Sequence, residues 1–394
     1  MNPSKSLGRL QSVDLLRGVI MIIMALDHTR EFVHADALAF QPDDLTKTTA
    51  LLFFTRWITH FCAPVFMFTA GLGAFFKANR DGAPAASRFL LTRGLWLVFL
   101  ELTVLRFAFA LHLLEGPVLL TILWALGWSM VALAALSRLP PRILAVVSIG
   151  MIVLHNALDG VTPEQFGALS GLWKILHQRG FMAPGGIVVV VAYPLIPWIG
   201  VMAAGYCLGP VFLMDEERRR RILIRLGLAL TAAFLIVRAI NIYGDPQPWK
   251  AQPTALFTLL SFLRTTKYPP SLEFLLMTLG PSIWALGLID KLRVARANPA
   301  LIFGRVPLFY FLGHLYLLHL AVMALALLRY GTATFLLHAS TAMRTPAQAF
   351  PENYGWSLGI VYLTWITVVL IMYPLCLWFA RVKERRRDWW LGYL

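Results

Sequence analysis

Apolar runs of about 20 residues recur from one end of this chain to the other, and that recurrence limits the fold before any single residue is weighed. As an α-helix rising 1.5 Å per residue, each run is long enough to cross the hydrocarbon layer of a membrane. The runs predict about ten (ten to eleven) spanning helices, over residues 14–34, 50–77, 88–112, 117–137, 141–159, 185–213, 220–243, 271–291, 305–329 and 355–381. The stretch TALFTLLSFL is too short to span and is expected to lie along the interface. The fold class expected is therefore all-α, a polytopic membrane bundle forming one transmembrane domain over residues 1–394. Only 14% of residues are charged, against about 25% in an ordinary soluble domain.

The net charge of +15 does not point to nucleic acid, because the Lys and Arg residues sit mostly in short loops between apolar runs, where they set orientation. One set of alternate loops carries Lys77, Arg80, Arg88, Arg93, Arg218 to Arg221, Lys291 and Arg385 among others; the opposite loops carry far fewer, such as Lys47, Lys174 and Lys250. The asymmetry predicts a multi-pass membrane protein with cytoplasmic N- and C-termini and lipids as its surroundings. No cleavable signal peptide is expected. Cys62, Cys207 and Cys376 fall inside apolar runs and form neither a disulfide framework nor a zinc spacing. The two long outer loops, rich in Gly, Pro and aromatic residues, offer material for a lid or a site.

The first span, SVDLLRGVIMIIMALDHTREF, carries six ionisable groups: Asp14, Arg17, Asp27, His28, Arg30 and Glu31. A charge near the bilayer centre costs roughly 2.5–3.5 kcal/mol, so such residues face the bundle interior and pair. Arg17 and His28 are 11 residues apart, about three turns and about 16 Å of rise, so Asp14, Arg17, His28 and Glu31 share one stripe. Asp27 can pair with Arg30 one turn on. Imidazole titrates near neutral pH, which suits His28 to act as base or nucleophile with Asp27 or Glu31 orienting it. Arg56 and His60 share a face of the second span. Arg238, Asn241 and Asp245 leave the seventh, and Lys267, Tyr268 and Glu273 follow at the same level. A polar cavity opening on the outer side accounts for this set. His314 and His319 are five apart, about 500° around a helix, which argues against a two-histidine metal pair and for structural roles. No metal is expected.

RLQSVDLLRGVIMIIMALDH, followed by FFTRWITHFCAPVFMFTAGLGAF, resembles the bacterial relatives of heparan-alpha-glucosaminide N-acetyltransferase, part of a wider group of transmembrane acyltransferases. YPLIPWIGVMAAGY, YGDPQPW, TTKYPPSLEFLLMTLGP and GRVPLFYFLGHLYLLH extend the resemblance over nearly the whole chain. It implies a helical bundle that takes an acyl group from acetyl-CoA at the cytosolic face and passes it to an amine or hydroxyl of a sugar or amino-sugar acceptor outside, and it allows a homodimer. In related sugar O-acyltransferases an arginine and a histidine lie 11 apart on the first span, and Arg17 and His28 match them. In the lysosomal glucosamine enzymes the catalytic histidine lies in the loop after that span, where His34 is the nearest candidate here, at a shorter spacing.

Acyl transfer needs a base or nucleophile and donors for the oxyanion. His28, Asp27, Glu31 and His34 are the catalytic candidates. Arg17, Arg93 and Arg305 are candidates for the phosphates of coenzyme A, and Arg56, His60, Arg238 and Lys267 for the positive groups at donor, oxyanion or acceptor. Asn241, Asp245 and Tyr268 are candidates for reading acceptor hydroxyls. The rival class is a membrane transporter using His and carboxylate relays.

Overall fold

A computed structural model describes residues 11–111, 113, 116–338, 347–386 and 388–393; the terminal segment 1–10, part of the expected cytoplasmic N-terminus, lies outside them. The elements in chain order are α1 (Gln11–Val33), α2 (Ala50–Trp57), α3 (Cys62–Asp81), α4 (Ala83–Leu100), α5 (Arg106–Ala110), β1 (Val118–Leu120), α6 (Ile122–Leu136), α7 (Pro141–Leu154), α8 (Ser170–Leu176), β2 (Gly180–Met182) and β3 (Val189–Val191). The second half holds α9 (Leu195–Leu208), α10 (Glu216–Ile240), α11 (Ala255–Leu263), α12 (Leu272–Ile289), α13 (Pro299–Arg305), α14 (Pro307–Tyr330) and α15 (Leu358–Arg385).

Among the described residues, seven helical segments are long and apolar enough to cross a membrane: Ala50–Asp81, Pro141–Leu158, Leu195–Leu213, Glu216–Ile240, Leu272–Ile289, Pro307–Tyr330 and Leu358–Arg385. Large apolar side chains such as Val146, Ile149, Ile236, Leu320, Leu328 and Leu370 stand open on the outside of these helices. A soluble protein would bury a band of this kind; in a bilayer it faces lipid.

α1 behaves differently. Sixteen of its 23 residues are buried and only Val19 is exposed. α3, α13, α14 and α15 surround it. This central position is what lets one helix carry so many ionisable groups. Its fit against α13 is backbone on backbone: a Cβ on Gly18 would sit 1.6 Å from the Ala300 carbonyl oxygen, and one on Gly304 would sit 1.8 Å from that of Asp14. Small residues of this kind let membrane helices approach closely, where dispersion contacts do the work that apolar burial does in water.

Local sequence sets several helix starts. Asp215, Ser271 and Asn298 each accept a hydrogen bond from the backbone N–H three residues on, capping α10, α12 and α13. Glu101 does this from a distance. A π-helical turn over Glu101–Leu105 aims its buried carboxylate at the start of α6, where it accepts from the N–H groups of Thr121, Leu123 and Trp124 at 2.8–3.1 Å and from the Thr121 hydroxyl at 2.6 Å.

Two predicted spans begin later than expected. Residues 117–121 and 187–194 are not helical. They contribute β1 and β3 to a three-stranded sheet of order β1-β3-β2, with β1 parallel and β2 antiparallel to β3. A short apolar run such as VLL or VVV reads equally well as the opening turn of a helix, so periodicity does not separate the two.

Candidate active site

The chain folds so that the end of α1, the rod made of α2 and α3, the three-stranded sheet and the loop before α12 enclose a cavity of about 1070 Å³. Its wall brings together Asp27, His28, Glu31, Arg56, His60, Lys267 and Tyr268 from the residues singled out above. It lies at the end of α1 opposite to Asp14 and Arg17.

His28 sits in an aromatic collar, its ring 6.4 Å from that of Phe109 and 6.0 Å from that of Phe311. Its Nδ1 lies 2.8 Å from Nε2 of His314 on α14. His314 in turn places Nδ1 2.9 Å from the carbonyl oxygen of Tyr310. A carbonyl only accepts, so a neutral His314 carries its proton on Nδ1 and accepts at Nε2. His28 must then donate from Nδ1, which leaves Nε2 with a lone pair and no hydrogen-bond partner among the described residues. A second-ring hydrogen bond that fixes the tautomer is how a histidine is set up as a base. The expected orienting groups were Asp27 and Glu31. The residue that hydrogen-bonds the ring is His314, which the sequence pointed to as structural. His319, five residues on, turns elsewhere and lies near the Ala108 and Leu336 carbonyls.

Asp27 is occupied by cations. Arg56 makes a short ion pair with one of its oxygens, and Arg30 reaches the other at 3.2 Å, as the one-turn spacing predicts. Arg30 also lies 4.0 Å from Glu31, whose side chain is 40% exposed. Across the cavity Lys267 is buried and pairs with no carboxylate among the described residues; its ammonium stands 5.2 Å from the centre of the Tyr268 ring. Arg179, from the loop after α8, covers the same ring at 5.5 Å, and the Tyr193 hydroxyl lies 3.4 Å from that of Tyr268. Burial alone would push the Tyr268 phenol up, but the Lys267 and Arg56 charges outweigh it and hold the group below its ordinary value. His60 is buried against Phe274, and its Nδ1 has no hydrogen-bond partner among the described residues. The wall thus carries the imidazoles of His28 and His60 together with the cations Arg56 and Lys267 and the Tyr268 hydroxyl.

The other candidates lie apart from this wall. His34 caps a short 3-10 turn, its Nδ1 accepting from the Asp36 N–H at 3.3 Å. Arg238 is sealed. It pairs with Glu273 at 2.6 Å and donates to the carbonyls of Gln247, Ser261, Phe262 and Arg264. Asn241 ends α10 at φ 57° and exchanges two 3.0 Å hydrogen bonds with the Trp249 backbone. Asp245 accepts from the N–H groups of Gln247 and Thr266 and from the hydroxyls of Thr266 and Ser271. All three tie together the loop that carries Lys267 and Tyr268. At the opposite end, Arg17 donates to the Thr69 carbonyl at 2.5 Å, Arg93 to the Gly392 carbonyl, and Arg305 to Glu384 at 3.2 Å. None of these three lines the cavity.

Residues 9–245 match the family model described as "Heparan-alpha-glucosaminide N-acetyltransferase, catalytic". That range covers more than half of the chain and includes Asp27, His28, Glu31, Arg56 and His60, while Lys267, Tyr268 and His314 lie beyond it. No curated protein matches the chain. With apolar helices able to cross a membrane and a catalytic-region match of this extent, the chain belongs to the heparan-alpha-glucosaminide N-acetyltransferase family, which marks it as a membrane acetyltransferase.

Proposed function

We propose that the whole chain is one catalytic unit that moves an acetyl group from acetyl-CoA, on the cytosolic side, to an amine or hydroxyl of a sugar-type acceptor on the outer side of the bacterial inner membrane. The observation that carries this reading is the His28–His314 pair, which leaves a lone pair on His28 Nε2 at the wall of a cavity wide enough for a sugar. Ten spans with both termini in the cytoplasm agree with the basic loops and put the cavity on the outer face.

In this reading His28 is the catalytic residue. As a base, its Nε2 takes the proton of the acceptor hydroxyl or amine while that oxygen or nitrogen bonds to the thioester carbonyl carbon. The carbon–sulfur bond then breaks and Nε2 returns the proton to the departing sulfur. As a transient acyl carrier, Nε2 bonds to the thioester carbonyl carbon as the carbon–sulfur bond breaks and coenzyme A leaves as thiolate; the acceptor oxygen or nitrogen then displaces the imidazole from that carbon and its proton goes to the thiolate. Arg56, Lys267 and Tyr268 face the oxygen on which negative charge develops, and the Asp27 carboxylate holds Arg56 in place. Glu31 and the unsatisfied His60 nitrogen are the acceptor's contacts. Arg238, Asn241 and Asp245 act through the loop they brace. Arg17, Arg93 and Arg305 hold the phosphates of the donor at the cytosolic end. The distance from Arg17 to His28, about 16 Å along α1, is what the donor's flexible arm must cover. In this reading two copies form a homodimer, each with its own site.

The test is purified full-length protein in detergent with radiolabelled acetyl-CoA and a panel of amino sugars and sugars. Labelled acceptor is expected from the wild type, falling about 10²–10⁴-fold in His28→Ala with an unchanged melting curve. Absence of labelled product with every acceptor, together with solute flux through proteoliposomes lacking coenzyme A, overturns the reading in favour of a transporter.

A further inference from the structure

Outside the cavity wall, the described residues hold one group of side chains with the chemistry of a metal site. His155 follows the end of α7, Asp159 comes one turn later, and His177 ends α8. One ligand atom from each lies within 4.8 Å of the other two. His177 Nε2 and an Asp159 oxygen are already 3.2 Å apart, close to the roughly 3.4 Å that separates ligand atoms held about 2.0–2.1 Å from a tetrahedral zinc ion.

The hydrogen-bond inventory shows what is missing there. Both imidazoles are only 2% exposed. Among the described residues, neither ring nitrogen of His155 has a partner, nor does Nδ1 of His177. A buried polar atom left unsatisfied costs about 1–3 kcal/mol, and native structures carry few of them. A His177–Asp159 ion pair would satisfy His177 Nε2 and leave both nitrogens of His155 bare. A cation between the three residues uses a lone pair from each histidine and a carboxylate oxygen. Asp159 is partly exposed, which opens a fourth position to water.

The surroundings fit as well. Asn156 donates to the second Asp159 oxygen at 2.8 Å, leaving the first one to face the histidines, and accepts from the N–H of Leu272 at 2.8 Å. Partners of this kind orient metal ligands. Trp173 packs its ring 5.1 Å from His177 and donates to the Val161 carbonyl. Two residues beyond His177 the chain enters Arg179, Phe181 and then β3, all part of the cavity wall.

We propose that His155, Asp159 and His177 bind one divalent transition-metal ion, zinc foremost, and that this ion pins the outer loop walling the cavity to the ends of α7 and α12. The sequence pointed to no metal because the ligands are spread over 23 positions with no short motif. The proposal does not depend on the acyl-transfer reading, and its test does not read activity.

Full-length protein carrying a non-histidine tag, stripped with chelator in detergent, is titrated with Co²⁺ and then Zn²⁺. Uptake of about one equivalent of Co²⁺, with visible d–d bands that Zn²⁺ abolishes, is expected. Asp159→Asn should weaken binding at least ~10-fold, and the His155→Ala/His177→Ala double variant should abolish it. Zn²⁺ should also slow proteolysis between residues 160 and 190 in the wild type alone. A wild type that shows no d–d bands, or that takes up no more metal than the double variant, overturns the proposal. If the double variant does not fold, the wild-type spectrum and Asp159→Asn decide by themselves.

Discussion

Two buried arginine–carboxylate pairs lie on the same side of this bundle, and they are opposites. Arg238 and Glu273 are each 1% exposed, and the guanidinium spends its remaining donors on four backbone carbonyls. Arg56 and Asp27 are 13% and 11% exposed and stand on the wall of the cavity, beside a histidine lone pair and an ammonium that meet no hydrogen-bond or carboxylate partner among the described residues. In a membrane chain a buried charge is the usual signal of a site. Here the signal divides into two kinds. Where every donor is consumed by the fold, the charge is a rivet. Where donors and lone pairs remain over beside a void, it is what the proposed reaction would use.

The largest effect expected from breaking the first pair is on stability. Arg238→Gln leaves Glu273 buried without its cation and strips four carbonyls of their donor, a loss of about 3–5 kcal/mol against a total of only about 5–15. Thermal unfolding in detergent should show a much lower midpoint or no folded protein, and what folds should keep its specific activity. Arg56→Gln should do the reverse. Asp27 keeps Arg30, so the melting curve moves little, while removal of one donor from the developing oxyanion lowers turnover about 10²–10³-fold. Equal losses of stability in the two variants would erase the distinction.

A smaller effect sharpens it. His314→Gln keeps an acceptor for His28 Nδ1–H and cannot titrate. Turnover should fall about 10-fold, and the acid limb of the rate profile should simplify, because one of two coupled imidazoles is gone. An unchanged profile would return His314 to a packing role.

The first span was legible because its period and its charges speak about the same face: helical geometry places Arg17, His28 and Glu31 in line, and insertion energetics send that line inward. The loop residues Lys267 and Tyr268 were legible as polar groups at the right level. What faces them was not. His314 reaches His28 across 286 positions, and no local spacing encodes a contact between helices. Arg238, Asn241 and Asp245 looked the same as Lys267 in sequence. Only the folded loop shows their donors and acceptors meeting backbone groups rather than the void. The sheet was hidden for another reason, since its strands are apolar stretches of three residues.

The smallest expected effect falls on His34, and it is informative because it is small. The family resemblance offers two catalytic histidines, His28 on the helix and His34 just after it. The fold gives His34 a complete structural role. Its N–H bonds the Arg30 carbonyl at 3.0 Å, its ring caps the turn Ala35–Leu38, and its backbone pairs with Trp356. Asn is among the best residues at such a cap. His34→Asn should therefore change stability by under ~1 kcal/mol and leave acetyl transfer intact, measured on the same preparation that shows the loss in His28→Ala. If transfer instead collapses while the melting curve holds, the imidazole that matters is the one after the helix, and the cavity wall has been given the wrong residue.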